Sequence, residues 1–203
     1  MFISFEGIDG SGKSTQVSRL AASLRAEGRE VLLVREPGGT PLSESVRSLL
    51  LDPQADIHPL AELFLFTAAR AQLVHGVIQP ALASGTVVIA DRYADSTLAY
   101  QGAGRGVSDV ETLRSIQSCA TSGLQPDHTF VLDIAPEDAA QRRSNRGGNK
   151  DRMEGASLDF YHRVRDSYLK LATQAPERIH VLDARQPEAE LATQIWQSLA
   201  SSN

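Results

Sequence analysis

Five short runs of apolar and β-branched residues, each separated from the next by helical periodicity, constrain this 203-residue chain more than any other feature. They cover 2–6, 30–35, 86–91, 128–134 and 178–183. Val87-Val88-Ile89-Ala90 and Phe130-Val131-Leu132 do not alternate apolar with polar, so neither face of such a strand would meet water. Strands covered on both faces and separated by helices make a parallel sheet between two helical layers, a three-layer α/β fold. The spacing predicts helices over 13–27, 41–51, 60–84, 94–101, 108–122, 136–145, 156–174 and 187–201. Gly28 and Gly85 stand where helix-ending glycines belong, each shortly before a strand. No repeat or low-complexity linker interrupts the pattern, and one domain is the expectation at this length.

Ligands of such sheets gather beyond the C-terminal ends of the strands. That rule collects Glu6 to Lys13, Arg35 to Thr40, Asp91-Arg92 and Asp183 to Pro187 on one face. The first group contains Gly7-Ile8-Asp9-Gly10-Ser11-Gly12-Lys13-Ser14. It fits the phosphate-loop pattern G-x-x-x-x-G-K-[ST], with the required strand before it and helix after it. Amides of the turn and of the first helical turn have no intrahelical acceptor, and the helix dipole points its positive end at them. Lys13 supplies charge to the terminal phosphates of a nucleoside triphosphate, and the Ser14 hydroxyl can ligate Mg²⁺.

The other strand ends add chemistry. Asp91 can hold Mg²⁺ directly or through water opposite Ser14, and Arg92 would reach the same crevice as a bidentate phosphate ligand. Alone the pair reads as a surface ion pair; beside a phosphate loop it reads as function. Arg35-Glu36-Pro37-Gly38-Gly39-Thr40 follows the second strand as a turn with exposed amides, and Thr40-Pro41 opens a helix that carries Arg47. Phe66 and Arg70 are four apart on a helix and could offer a base a flat surface and a donor fork. On spacing alone the simpler reading makes the phenylalanines core and Arg70 a solvated charge. Arg142, Arg143, Arg146, Lys150 and Arg152 crowd a helix end and a loop broken by Gly147-Gly148. They read as a solvated basic patch or as a flap. Ile8, Asp9, Gly10 and Ser11 bring no basic residue to the phosphate loop, so cationic charge must come from elsewhere, and a mobile arginine-rich flap would bring it.

Bulk properties exclude other classes. A net charge of −5 and a pI near 5.5 argue against broad binding to nucleic acid or membrane surfaces. Apolar runs are too short for a bilayer, and no export signal is read at the N-terminus. Cys119 is the single cysteine, consistent with a cytoplasmic protein, and reads as a small buried filler on a helix. The five histidines show no zinc-ligand spacing.

The stretch Phe5 to Thr15, the stretch Arg35 to Thr40, Asp91-Arg92-Tyr93 running into Ser96-Thr97 and Tyr100-Gln101-Gly102, and the arginine-rich segment resemble the bacterial thymidylate kinases, in register over essentially the whole chain. The resemblance implies a P-loop nucleoside triphosphate hydrolase-like fold with a five-stranded parallel sheet. It implies one domain, 1–203, with a short arginine-rich lid at about 142–153. It implies transfer of the γ-phosphoryl group of Mg·ATP to dTMP, giving dTDP and ADP, usually by a homodimer. By position, Gly7, Ile8, Asp9, Gly10, Ser11, Gly12, Lys13, Ser14 and Thr15 would hold ATP, with Arg142 and Asp183 to Gln186 near adenine and Ser14 and Asp91 on Mg²⁺. Asp9 would face the sugar of dTMP, Phe66 would stack on thymine, and Arg70 would bond its exocyclic oxygen. Ser96, Thr97, Tyr100 and Gln101 would line the base and sugar pocket. Arg35, Arg47 and Arg92 are candidates for the acceptor phosphate, with Glu36 in the same site. Lys13, Arg92, Arg146 and Arg152 are the catalytic candidates, the last two ahead of Arg143. Two other readings remain at this point. One is a deoxynucleoside kinase, in which a carboxylate such as Glu36 would take a hydroxyl proton. The other is a nucleotide-dependent switch, although Asn149-Lys150-Asp151-Arg152 lacks the intervening residue of a guanine-specifying N-K-x-D element.

Overall fold

The computed structural model describes residues 1–147, 152, 153 and 155–200, with the backbone alone described at Arg146. Its strands are β1 (Phe2–Glu6), β2 (Val31–Arg35), β3 (Val87–Asp91), β4 (His128–Asp133) and β5 (Ile179–Asp183). All pair in parallel, in the order β2-β3-β1-β4-β5. The central strand β1 pairs Phe5 with Asp91 of β3 and Glu6 with Val131 of β4. The chain after Glu6 therefore leaves the sheet at its middle, where the strand order switches sides, the usual seat of a ligand. Successive residues of β3 face opposite layers. Val87 and Ile89 join Val17, Leu20 and Leu24 in one core, while Val88 and Ala90 join Leu73, Val74 and Ile78 in another. This is the double burial expected of an unalternating apolar run.

Helices α1 (Lys13–Ala26), α2 (Pro41–Leu51) and α3 (Pro59–Leu73) agree with the periodicity. After α3 the expected single helix widens into a π-helical turn, Val74–Ile78, before α4 (Gln79–Ala83). Pro80 stands just beyond that turn. Proline cannot donate to the residue four back and crowds its carbonyl, and a widened turn relieves both. A second π-helical segment, Leu98–Gly104, extends the short α5 (Ala94–Thr97). Gly104 is required there, because a Cβ would lie 2.5 Å from the Phe160 ring. The chain continues through α6 (Val110–Thr121), α7 (Pro136–Arg146), α8 (Leu158–Gln174) and α9 (Glu188–Ala200). One expectation fails on α6: Cys119 is exposed, not buried. The inward stripe is Leu113, Gln117 and Thr121, which turns Cys119 to the outside. No described helix is long and apolar enough to cross a membrane.

Candidate active site

The loop from Gly7 to Gly12 runs from the end of β1 into α1 and is pressed against α7. Gly10 has φ 91, and a Cβ there would meet the Ala139 carbonyl at 2.6 Å, so both backbone shape and space demand glycine. Lys13 is 6% exposed and donates through Nζ to the carbonyls of Gly7 and Ile8 at 3.0 and 3.1 Å. Burial and the nearby Arg92 charge push its ammonium down to about 8, against the pull of Asp9, Asp91 and Glu6. Ser14 Oγ donates to Asp91 Oδ2 at 2.7 Å, which unites the two expected metal ligands across β1 and β3. Lys13, Ser14, Thr15, Arg35, Asp91, Arg142 and Arg143 line one polar cleft.

A second, less polar cleft opens from the first. Asp9, Glu36, Arg47 and Arg92 line both, and Phe66, Arg70, Ser96, Thr97, Tyr100, Gln101 and Met153 line only the second. At the junction Arg92 Nη2 donates to Asp9 Oδ1 at 2.7 Å and to Tyr100 Oη at 2.9 Å, and its guanidinium lies 4.8 Å from the Tyr100 ring centre. Burial works to raise the Asp9 carboxyl, but Arg92, Lys13 and Arg143 outweigh it and hold it well below the usual range. Behind Arg92 sits Glu6, fully buried, with its carboxyl pushed up to about 7 by burial and by Asp95, against Arg92 and two hydroxyl donors, Ser96 and Tyr168. The strand-end rule placed Glu6 on this face but gave it no role, and Tyr168, 162 residues further along the chain, carried no signal in the sequence.

Phe66 and Arg70 stand on α3; Phe66 packs partly buried against Val46, Leu50 and Ala69, and the simpler reading fails for Phe64 and Arg70. Phe64 is 53% exposed and is not core. Arg70 is 2% exposed and is not a solvated charge. Its Nε donates to Glu36 Oε2 at 2.7 Å, its Nη1 to Thr97 Oγ1 at 2.7 Å and to Gln117 Oε1, and its Nη2 to the Tyr93 carbonyl at 3.0 Å. Nη2 also meets Glu36. Burial opposes its charge, but Glu36 overrides that, so the guanidinium is held more strongly protonated than usual. Every Arg70 N–H thus has a protein partner, and Thr97, whose oxygen accepts from Arg70, keeps its own O–H to donate.

The remaining arginines have defined partners. Arg35 Nη2 reaches Glu44 at 2.9 Å, and Arg47 Nη1 donates to the Pro37 carbonyl at 2.9 Å. Arg142 donates to the Ala184 carbonyl at 2.9 Å, which joins α7 to the 183–186 turn. Arg152 stands apart from the phosphate loop here: its guanidinium bonds Glu62 Oε2 at 2.6 Å and the Leu50 carbonyl at 2.8 Å, near the Leu51 and Met153 side of the second cleft. Glu62, buried among Gln101, Arg105 and Arg152, holds it there. Arg143, placed last among the flap candidates, is the one on the loop. It donates to the Asp9 carbonyl and lies 4.7 Å from the Tyr161 ring centre. The Arg146 side chain and residues 148–151 of the expected lid lie outside the described residues.

The chain matches known proteins over nearly its full length. Residues 5–195 match the family model described as thymidylate kinase. The chain is 53% identical to the thymidylate kinase of Chlorobium chlorochromatii over 197 residues, covering 92% of this chain and 88% of that one. It is 51% identical to the thymidylate kinase of Deinococcus radiodurans over 200 residues, covering 98% and 96%. The crystal structure of thymidylate kinase from Ehrlichia chaffeensis superposes with a TM-score of 0.81 at 36% identity, covering 98% of each chain.

Proposed function

The chain belongs to the thymidylate kinase family, and from that premise we propose that its two joined clefts transfer the γ-phosphoryl group of ATP to dTMP, giving ADP and dTDP for dTTP synthesis. One observation carries the reading: the phosphate-loop cleft and the aromatic cleft share Asp9, Arg47 and Arg92 at their junction. Donor and acceptor phosphates meet there. The acceptor is a phosphate monoester with a second pKa of roughly 6, already mostly dianionic at neutral pH, so no general base is needed. The task is to hold two anions in line and neutralise them.

In this assignment Gly7 to Thr15 cradle the ATP phosphates, Lys13 contacts the transferred group, and Arg142 stands near adenine. Arg35, Arg47 and Arg92 take the acceptor phosphate, Asp9 faces the sugar, and Phe66 stacks on thymine. Tyr100 and Gln101 close the pocket, and Arg70 orients the Thr97 hydroxyl toward the base carbonyl. Arg143, which donates to the Asp9 carbonyl, brings flap charge to the transfer, and Arg146 and Arg152 are assigned to the same lid, at about 142–153 of a single domain. Ser14 and Asp91 fit Mg²⁺, since a hydroxyl and a carboxylate 2.7 Å apart supply the hard oxygen donors that the ion takes. The ion, when bound, neutralises charge on the phosphate oxygens.

Leu42 and Leu49 on α2 and Leu60 and Phe64 on α3 are exposed apolar side chains on two packed helices, and this face supports the homodimer. A cytoplasmic location accords with the exposed, unpaired Cys119. The test is ADP formation with dTMP, thymidine and no acceptor in parallel. Stoichiometric ADP with dTMP alone supports the reading. Turnover with thymidine and not dTMP would make it a nucleoside kinase, and binding without acceptor-dependent ADP would make it a switch.

A further inference from the structure

Glu6 has no role in that assignment, yet it stands directly behind it. It ends β1 and has no solvent exposure. A buried carboxylate is costly unless donors surround it, and here three do. The Tyr93 amide donates to Oε1 at 2.8 Å, and the hydroxyls of Ser96 and Tyr168 donate to Oε2 at 2.6 and 2.7 Å. The same three groups surround Arg92. Tyr93 is the next residue in the chain, and Arg92 Nη1 lies 3.2 Å from Ser96 Oγ and 3.4 Å from Tyr168 Oη.

The Arg92 backbone adds a second observation. Its φ is 75, in the left-handed region that residues with side chains rarely enter. Among the described residues the other non-glycine case is Ser122, which caps a helix end. Such a conformation persists only where its surroundings over-determine it. Two hydrogen bonds bracket it: the Arg92 amide donates to the Phe5 carbonyl at 3.0 Å, and the Tyr93 amide donates to Glu6. The first is backbone to backbone, whatever the sequence. The second depends on one side chain. The turn brings the guanidinium back over the cleft to Asp9 and Tyr100.

We propose that Glu6 is a positioning residue for Arg92: its carboxylate clamps the left-handed Arg92-Tyr93 turn and, through the Ser96 and Tyr168 hydroxyls, fixes the guanidinium where the acceptor phosphate binds. The proposal rests on the phosphate role assigned to Arg92. A phosphate arriving at Arg92 competes with Asp9 for the guanidinium and leaves the bonds to Glu6 intact. Glu6 thus keeps the arginine's base in place while its head changes partner.

A double-mutant cycle in the full chain tests this, with Glu6→Ala, Arg92→Ala and the pair, each checked for folding by circular dichroism. Glu6→Ala should lower kcat/KM for dTMP by about 10- to 100-fold and leave KM for ATP within about twofold. In the Arg92→Ala background the same change should cost less than about threefold. Equal losses in both backgrounds would mean that Glu6 supports the fold at large, and would overturn the proposal. Near-wild-type turnover of Arg92→Ala would instead overturn the phosphate role of Arg92 and the proposal with it. Should Glu6→Ala fail to fold, Tyr168→Phe and Glu6→Gln replace it. Gln keeps an acceptor for the Tyr93 amide and should rescue most of the activity, while Tyr168→Phe should lose about three- to tenfold, again only when Arg92 is present.

Discussion

Replacing Arg70 with Met leaves Glu36 in a specific predicament. The side chains of Arg70 and Glu36 are 2% and 4% exposed, so neither reaches bulk water. Glu36 Oε1 is buried with no hydrogen-bond partner, and Oε2 is held by Arg70. Arg70→Met therefore leaves a buried carboxylate with neither oxygen satisfied. Removing one member of a buried pair costs about 3–5 kcal/mol. The Tyr93 carbonyl, Thr97 and Gln117 each lose a donor as well, but Thr97 and Gln117 can turn to new partners, so the pair sets the scale. For a chain of this length roughly 2–4 °C of Tm accompany each kcal/mol, so a fall of about 6–20 °C is expected in thermal unfolding followed by circular dichroism. Burial already raises the Glu36 carboxyl against the pull of Arg70, and without Arg70 its folded-state pKa would rise further above the unfolded value. The stability of the variant is then best at low pH and is lost as pH rises through that raised value, so the deficit widens from pH 5 to pH 8. Adding Glu36→Gln removes the uncompensated charge and should recover about half of the loss. A fall of less than about 3 °C, or a double variant no more stable than the single, would refute the idea that charge burial governs this site.

Three further outcomes are expected. Lys13→Ala should lower kcat by about 10²–10³ with the fold intact, and a variant within a few-fold of the parent would remove Lys13 from the transfer. Glu6 titrates at about 7 in the fold against an ordinary 4.5, so the folded state holds the extra proton between those values and Glu6 lowers stability as pH rises through them. Its contribution above pH 7 is on the order of 3 kcal/mol. Glu6→Gln should therefore gain Tm relative to the parent from pH 5 to pH 8, and parallel Tm curves would contradict the assignment. For the homodimer proposed on α2 and α3, the parent should sediment as a dimer and Leu49→Glu with Phe64→Glu as a monomer; a monomeric parent would remove the dimer, and an unchanged dimer would place its interface elsewhere.

The sheet was legible because its strands are written locally, as runs of Val, Ile, Leu and Phe whose ends fall within one residue of the observed bounds. The phosphate loop was legible for the same reason: sequence neighbours make the site. What escaped is what lies far apart in the chain. On spacing alone Arg70 reads as a solvated charge, and only the family resemblance put it in the site, because its partners Glu36, Thr97 and Gln117 sit on three other segments. Gln117 also explains Cys119. A polar residue faces inward on α6 to serve Arg70, so apolar periodicity gives the wrong inner face. Arg152 was placed at the phosphates because charge and glycine spacing said flap, and nothing local revealed that Glu62 would capture it.

The arrangement of charge explains how an acidic chain carries a cationic cleft. Each described arginine of the site rests on protein: Arg35 on Glu44, Arg47 on the Pro37 carbonyl, Arg92 on Asp9, and Arg143 on the Asp9 carbonyl. Unpaired, such a cluster would repel itself and pay solvent reorganisation at each turnover; paired, it is preorganised. The pairing also sets an order of strength. Arg35 and Glu44 are about half exposed, so a phosphate bound as proposed would displace a weak, screened contact. Arg92 is 15% exposed and Asp9 29%, so the phosphate there must outbid a stronger one. A dianion offering two oxygens to one guanidinium can do that, and a singly charged ligand does so poorly. In the proposed assignment Asp9 would set a threshold at the junction of the clefts, and Arg92 would be released most readily to a doubly charged monoester.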